Sequence, residues 1–187
     1  KALIVDEILA GQVEPMSSYI SAYTPTLSNA NWDQYDYDPD RAREYVAALC
    51  AEPGVNCNSR PPKAVFSTTS NNASRVLLSE LLEPMFADVG LRYEAQLEDS
   101  TLFFGETLDF GNFDLGMWAW SGSAGFSGLI SFQELFDPEA PPPIGQNYYR
   151  WGTPAVSGES PSGYNMGAGL QDENTARYAE LRDLANS

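Results

Sequence analysis

KAVFSTTSNNASRVLLSELLEPMFADVGLRYEAQL, residues 63–97, decides the fold class of this chain. The first eight residues, 63–70, have the β-branched and aromatic content of a strand, and 91–97 alternates between apolar and polar residues as a strand does. Between them, residues 71–90 predict a helix that begins at an Asn cap and ends at a Gly. Pro84 lies inside this helix and should kink or interrupt it. The segment therefore predicts a strand–helix–strand unit.

The same alternation of elements continues downstream. A short capped helix is expected to end at Leu108, and FDLGMWAW, 113–120, reads as the next strand. This order predicts a layered α/β domain with a largely parallel or mixed sheet, and we take 1–187 as one domain. The remaining predicted elements are a helix over 1–11, a surface stretch over 12–37, a helix over 39–51, a turn-rich loop over 52–62, a helix over 126–136, an irregular region over 137–169 and a polar helix over 171–187.

Composition narrows the class of partner. The chain has 187 residues, 43% hydrophobic and 12% aromatic, which is the balance of a folded globular protein. Its net charge of −16 argues against nucleic acid and against anionic lipid surfaces, since both require basic residues. No apolar run approaches the ~20 residues that a membrane-spanning helix needs. The chain opens without Met or a signal peptide, so we expect an excised or processed piece.

An acidic cluster in DQYDYDPDRAREYV, 33–46, has two interpretations. A calcium loop counted from Asp36 fails, because Arg41 stands where the turning Gly belongs and Ala47 where the Glu belongs. A helix start fits better, with Asp38 as the cap and Pro39 in the first turn. We therefore expect a capped helix, and metal binding is the minor alternative.

Two cysteines occur in CAEPGVNC, where six residues separate Cys50 from Cys57. A turn at the intervening Pro and Gly could bring their Cα atoms within disulfide range. A disulfide would indicate an oxidising compartment, and the alternative is two unrelated thiols. A structural zinc site is not expected, because two cysteines without a single His are too few ligands.

Few catalytic constellations fit this composition. Without His, neither a Ser–His–Asp nor a Cys–His arrangement can form, and neither a GxSxG elbow nor a phosphate-binding loop occurs. A pair of acids for glycoside hydrolysis remains an alternative. The candidate acids, each equally readable as a cap, turn or surface residue, are Glu98, Asp99, Asp109 and Asp114.

The end of the strand at 113–120 is the best candidate for a binding site. Trp118 and Trp120 share one face by alternation, and the small polar run Ser-Gly-Ser follows. Ligands in α/β sheets bind at the carboxyl ends of strands. Indoles offer a large apolar area and one donor, and hydroxyl groups add polar contacts. The alternative is a core Trp beside an ordinary loop.

Several stretches in order resemble one known family. They are IVDEILAGQVEP (4–15), YDPDRAREYVAAL (37–49), TTSNNASR (68–75), FADVGLRYEAQL (86–97), STLFFGETLDFGNFDLGMWAWSG (100–122) and SGYNMGAGLQDENTARYAELRDLA (162–185). Together they resemble the extracellular solute-binding proteins of family 5, the peptide, nickel and oligosaccharide receptors of bacterial ABC importers. Members have two lobes that close on a ligand. The resemblance implies the large C-terminal lobe of a type II periplasmic-binding-protein fold.

The resemblance implies a binding protein and not an enzyme. We expect no cofactor, and the residues themselves predict no metal site. Its partners would be a small solute, such as an oligopeptide or sugar, and ABC permease subunits. The location would be the periplasm or the outer face of the membrane, with a lipid anchor on the full-length protein. Two alternatives from other classes are a secreted hydrolase that uses paired carboxylates and a non-catalytic surface or adhesion module.

The family's ligand-binding motif transfers by position. Peptide-binding relatives carry Trp, two small residues and an Asp that holds the ligand's amino group, and this chain has Trp120, Ser121, Gly122 and Ser123 there. A hydroxyl cannot offer the charge-assisted bond of a carboxylate, which favours a sugar, a blocked peptide or another neutral solute. Of the two aromatic residues at 103 and 104, we expect one in the core, with Phe104 as a pocket wall. Trp118 completes the expected ligand-binding set.

Overall fold

The computed structural model describes residues 1–16, 32–119, 135–152 and 173–185. They form two compact units. Unit one consists of Lys1–Ser100 with Asp114–Trp118, and unit two of Thr101–Phe113 with Ala119–Ser187. The assignment of 1–187 to a single lobe stays a prediction. Within the described ranges, no helix has the length and apolar content that crossing a membrane requires.

Unit one is built on a three-stranded parallel sheet. Strands β1 (Lys63–Thr69), β2 (Arg92–Glu98) and β3 (Leu115–Met117) lie in the order β2-β1-β3, and both neighbouring pairs are parallel. The predicted strand–helix–strand unit and the parallel α/β class are confirmed. β1 is the central strand and is buried from Val65 to Thr69. The carboxyl ends of all three strands meet at one edge, where Thr69 pairs with Glu98 and Thr68 with Met117.

The prediction of a strand over 113–120 is wrong in length, because β3 has only three residues. Side chains add hydrogen bonds at both of its ends. The carboxylate of Asp114 accepts the N–H of Val65 at 2.8 Å, and the hydroxyl of Thr68 donates to the carbonyl of Met117 at 2.7 Å. At the amino end, Asp114 also donates its own N–H to the Val65 carbonyl at 3.3 Å.

The described part of unit one also contains the helices α1 (Ala2–Leu9), α2 (Pro39–Cys50) and α3 (Ala73–Asp88), and a short 3-10 turn at Trp32–Tyr35. The acidic cluster begins α2 as the sequence predicts. The side chain of Asp38 accepts the N–H of Arg41 at 2.9 Å, and Pro39 occupies the first turn. The surface stretch predicted over 12–37 is exposed in its described parts outside that turn, and 17–31 lie outside the described residues.

Helix α3 covers one face of the sheet. Its Asn72 cap accepts the N–H of Arg75 at 3.1 Å, as predicted. The helix continues through Pro84, so the prediction of an interruption is wrong; Pro84 is exposed, and water can satisfy the carbonyl that loses its donor. Tyr93 of β2 packs against Phe86 of α3 at 5.3 Å between ring centroids. This aromatic contact fixes α3 on the sheet.

The predicted disulfide joins Cys50, the last residue of α2, to Cys57. Their Cα atoms are 5.5 Å apart, within the ordinary disulfide range. The bond closes the turn that contains Gly54 in its positive-φ conformation. The prediction of this pair is confirmed.

The described residues of unit two form two helical regions and a run of turns. One region runs through α4 (Ser100–Leu102, whose first residue belongs to unit one), a π-helix at Phe103–Thr107 and α5 (Leu108–Phe110). The other is α6, Glu173–Ala185. The predicted short helix is thus confirmed, although it ends two residues later than expected and holds a π-helical turn. Turns fill 135–152, as expected of the irregular region, whereas 153–169 and most of the helix predicted over 126–136 fall outside the described residues.

Candidate functional site

The strand order places the candidate site between β1 and β3. The chain leaves β1, crosses through α3 to β2 on one side, and later returns to β3 on the other side of β1. The crevice at the carboxyl ends of two strands whose connections run in opposite directions is where open α/β sheets bind ligands. In unit one, the residues at this position of the sheet are Thr68, Thr69 and Met117.

Three successive hydroxyl residues end the central strand, and all are buried. Ser67 and Thr68 are 0% exposed and Thr69 is 1% exposed. Buried polar groups need partners, and each of these finds one on a different element. Ser67 donates to Gln96 of β2 at 3.2 Å, Thr68 donates to the Met117 carbonyl of β3, and Thr69 accepts from Arg75 of α3 at 2.7 Å. Hydrogen bonds to β2, β3 and α3 therefore hold this end of β1 in place.

A buried carboxylate lies at the same edge, on β2. Glu98 is 8% exposed, and its Oε1 accepts from the side-chain amide of Gln96 at 2.7 Å. Its Oε2 makes no hydrogen bond in the described part of the chain. The main-chain carbonyl of Glu98 accepts from the N–H of Ser70 at 2.7 Å and from its hydroxyl at 2.9 Å. These bonds tie the residue after β1 to the end of β2.

The structure places one of the predicted tryptophans at this edge. Trp118 follows β3 directly and is half-buried. Because Thr68 holds the preceding carbonyl, the backbone at Trp118 is fixed beside the end of β1. The other predicted residues of this loop, Trp120, Ser121, Gly122 and Ser123, lie outside the described residues, and their role stays a prediction.

The predicted aromatic pair of the helical region behaves as expected in part. Phe103 is fully buried and belongs to the core of unit two, whereas Phe104 is 42% exposed and meets Phe103 edge-to-face at 5.2 Å. Phe104 lies in unit two and Trp118 in unit one. The use of Phe104 as a pocket wall stays a prediction.

Two of the four candidate acids have structural explanations. Asp114 accepts the N–H of Val65, so its carboxylate is committed to the sheet. The main-chain carbonyl of Asp109 accepts from the guanidinium of Arg150 at 2.7 Å. Burial lowers the pKa of Arg150, and the negative charge of Asp109 partly restores it. These contacts support the fold. Of the other two acids, Glu98 is the last residue of β2 and the exposed Asp99 follows it.

The ordered parallel sheet and the Trp at its edge agree with a comparison by sequence. The profile of the bacterial extracellular solute-binding proteins, family 5 Middle, matches residues 1–138. The chain belongs to this family. No curated protein matches the chain significantly.

Solved structures share the fold of this family 5 chain at low sequence identity. It is similar to NikZ from Campylobacter jejuni in complex with Ni(L-His), with 15% identity, a TM-score of 0.61, and coverage of 97% of this chain and 33% of that one. It is also similar to the oligopeptide-binding protein AppA from Bacillus subtilis in complex with a nonapeptide, with 16% identity, a TM-score of 0.61, and coverage of 79% and 30%. A periplasmic oligopeptide-binding protein from Thermotoga maritima with bound mannohexaose gives 18% identity, a TM-score of 0.60, and coverage of 80% and 30%.

The family 5 chain thus spans about a third of the length of the solved structures that it matches. Their fold is that of type II periplasmic binding proteins, and the expected fold class is confirmed. Sequence reasoning singled out the Trp-bearing strand, but it missed the hydroxyl residues of β1 and Arg75. The run Ser-Thr-Thr at the end of a buried strand was the available signal, since three polar residues in a core position need partners.

Proposed function

We propose that this chain is part of a solute receptor of a bacterial ABC importer, and that the solute binds at the crevice between β1 and β3. Family membership supports the receptor role. The observation that carries the site is the position of Trp118, the first residue after β3 at the switch point of the sheet. In this proposal Trp118, Trp120 and Phe104 supply apolar walls, and Ser121, Gly122 and Ser123 supply polar contacts.

The proposed solute is neutral at the end that meets the loop. Ser123 stands where peptide-binding relatives carry an Asp, so the charge-assisted bond to a free amino terminus is missing. The solved structures of similar fold hold a nickel complex, a nonapeptide and a mannohexaose, which shows how widely ligands vary on this fold. An oligosaccharide or an N-blocked peptide fits the residues of this chain best.

We further propose that the protein acts without catalysis. The solute would shift an equilibrium between open and closed forms, and the closed form would meet the permease subunits. The location would be the periplasm or the extracellular face of the cell membrane, with a lipid anchor on the full-length protein. The commitment of Asp114 to the Val65 N–H supports this proposal over paired-carboxylate hydrolysis, because it removes one acid from any catalytic pair.

A thermal-shift screen tests the proposal. Neutral oligosaccharides and N-acetylated peptides should raise the unfolding midpoint, because a ligand that binds only the native state stabilises it. Free peptides of the same sequence should raise it less. Stabilisation by free peptides alone would refute the neutral-solute proposal.

Variants locate the site. Trp118→Ala should weaken binding of the best ligand about thirtyfold, the cost of about 2 kcal/mol for truncating a central aromatic contact. Tyr45→Phe is the matched control, because Tyr45 is 62% exposed on α2. Ser123→Asp should increase the affinity for free amino termini. Unchanged affinity in Trp118→Ala would place the solute elsewhere.

A further inference from the structure

Four aromatic side chains of unit two line one cavity. This cavity has a volume of ≈ 480 Å³ and is open to solvent; its described lining consists of Phe136, Tyr149, Trp151 and Tyr178. Cavities of about 300–1,000 Å³ with aromatic walls are the size and kind that hold small organic ligands. The four residues all belong to unit two.

The rings form walls in two orientations. Phe136 and Tyr149 are parallel within 4°, with centroids 5.6 Å apart. Trp151 and Tyr178 are nearly perpendicular at 86°, with centroids 5.6 Å apart. An aromatic face carries partial negative charge and attracts a cation, so a cavity lined by four aromatic residues suits a cation better than an anion.

The backbone that carries these rings is held in place. The fully buried Asn147 donates through Nδ2 to the carbonyls of Asp137 at 3.1 Å and Trp151 at 2.8 Å. It thereby joins the residue after Phe136 to Trp151 itself. Gly152 packs so closely on α6 that a Cβ there would lie 2.7 Å from the side chain of Thr175. The walls are therefore organised before any ligand arrives, which reduces the entropy lost on binding.

The charges nearest to the cavity favour a cation. Arg182 of α6 bonds three carboxylates, those of Asp137 at 2.8 Å, Glu139 at 3.1 Å and Asp183 at 3.0 Å. Three carboxylates against one guanidinium leave an excess of two negative charges in this cluster.

The other two guanidinium groups near the rings in sequence have their own contacts, Arg150 with the main-chain carbonyl of Asp109 and Arg177 with the carboxylate of Glu180. In the described part of the chain, none of the residues that line the cavity is basic. The whole chain, at −16, also attracts cations to its surface.

We propose that this cavity is a binding site for a small organic cation of the quaternary ammonium class, with the four rings around the methylated nitrogen. Such a cation has a low cost of desolvation, and its methyl groups match the apolar walls, whereas a primary ammonium would need hydrogen-bond acceptors. The proposal stands independently of the solute site at the β1/β3 crevice.

Titration of the whole chain with choline and with 3,3-dimethylbutan-1-ol, followed by NMR, tests the proposal. The two probes have the same shape, but only choline carries a charge. Choline should bind saturably and at least about fivefold more tightly than the alcohol, the ratio that ~1 kcal/mol of cation–π attraction gives. Equal binding of the two probes, or no saturable binding of choline, would overturn the proposal.

Variants assign the binding to the cavity. Tyr149→Ala should weaken choline binding about fivefold, and Tyr149→Phe should retain it, because the ring and not the hydroxyl contacts the cation. Tyr149 is 48% exposed, so its truncation leaves the fold intact. Phe110→Ala is the control, since Phe110 is an exposed aromatic residue of the same unit outside the cavity. Choline affinity that is unchanged in Tyr149→Ala, or that falls with Trp118→Ala instead, would overturn the assignment.

Discussion

Replacing Asp114 tests how the candidate edge is held in register. Its Oδ2 is the acceptor for the N–H of Val65, a residue that is 1% exposed. Asp114→Ala removes a hydrogen bond to a charged group and leaves a buried donor without its acceptor, which should cost about 2 kcal/mol. For a chain of this length, that loss corresponds to a fall of about 4–8 °C in the unfolding midpoint. Asp114→Asn keeps a carbonyl oxygen in place and should lose less than half as much.

Differential scanning calorimetry of these variants and of Asp6→Ala gives the comparison. Asp6 is exposed on α1, so its removal should change the free energy of unfolding by less than about 0.5 kcal/mol. Because Asp114 precedes β3 and Trp118 follows it, Asp114→Ala should also lower the affinity for the best solute identified by thermal shift. A midpoint for Asp114→Ala equal to that of Asp6→Ala would refute the role given to this carboxylate, and equal losses in the Ala and Asn variants would refute the hydrogen-bond explanation.

Three further predictions concern other parts of the chain. Removing the disulfide with Cys50→Ser and Cys57→Ser should cost about 2.5 kcal/mol from the short loop it closes, measured by urea unfolding, and a reductant should then have no further effect. Gly152→Ala should destabilise the chain by at least ~1 kcal/mol, because Gly152 has φ +69 and no room for a Cβ. Gly105→Ala should not, because no atom lies within 4 Å of a Cβ placed there. Equal unfolding midpoints of the two variants would contradict this prediction. Burial raises the pKa of Tyr178 to about 12; the charge of Asp137 adds to this shift and that of Arg182 opposes it. The stability that this tyrosine contributes is therefore present below pH ~10 and is lost as the pH rises towards 12. Tyr178→Phe should flatten that decline and remove the last step of an ultraviolet tyrosine titration.

Local signals in the sequence predict the elements of unit one well. The Asn and Asp caps, the closing Gly90 and the β-branched run of β1 each act within a few residues, and the structure follows them within about two residues. The disulfide could also be predicted from the sequence, because the loop that it closes is short and its conformation depends on local turn residues.

Features set by distant contacts could not be predicted in the same way. The length of β3 depends on Asp114 and on Thr68, which is 49 residues away from its bonding partner, and no local pattern shows that pairing. The aromatic cavity gathers residues from 136 to 178 that share no periodicity. For the proposed solute site, the sequence indicated the strand and its first tryptophan, while the partners of the buried hydroxyl groups became evident only in the folded structure.

The three hydroxyl residues of β1 have a consequence for how such receptors diverge. Each is hydrogen-bonded to a neighbouring strand or helix, so in the proposed site the sheet beneath the solute keeps its alignment whether or not a solute is bound. Mutations in the loops above can then retune selectivity while the sheet keeps its alignment. A sheet whose hydrogen bonds do not involve the solute therefore allows ligand specificity to change through a few substitutions at a time.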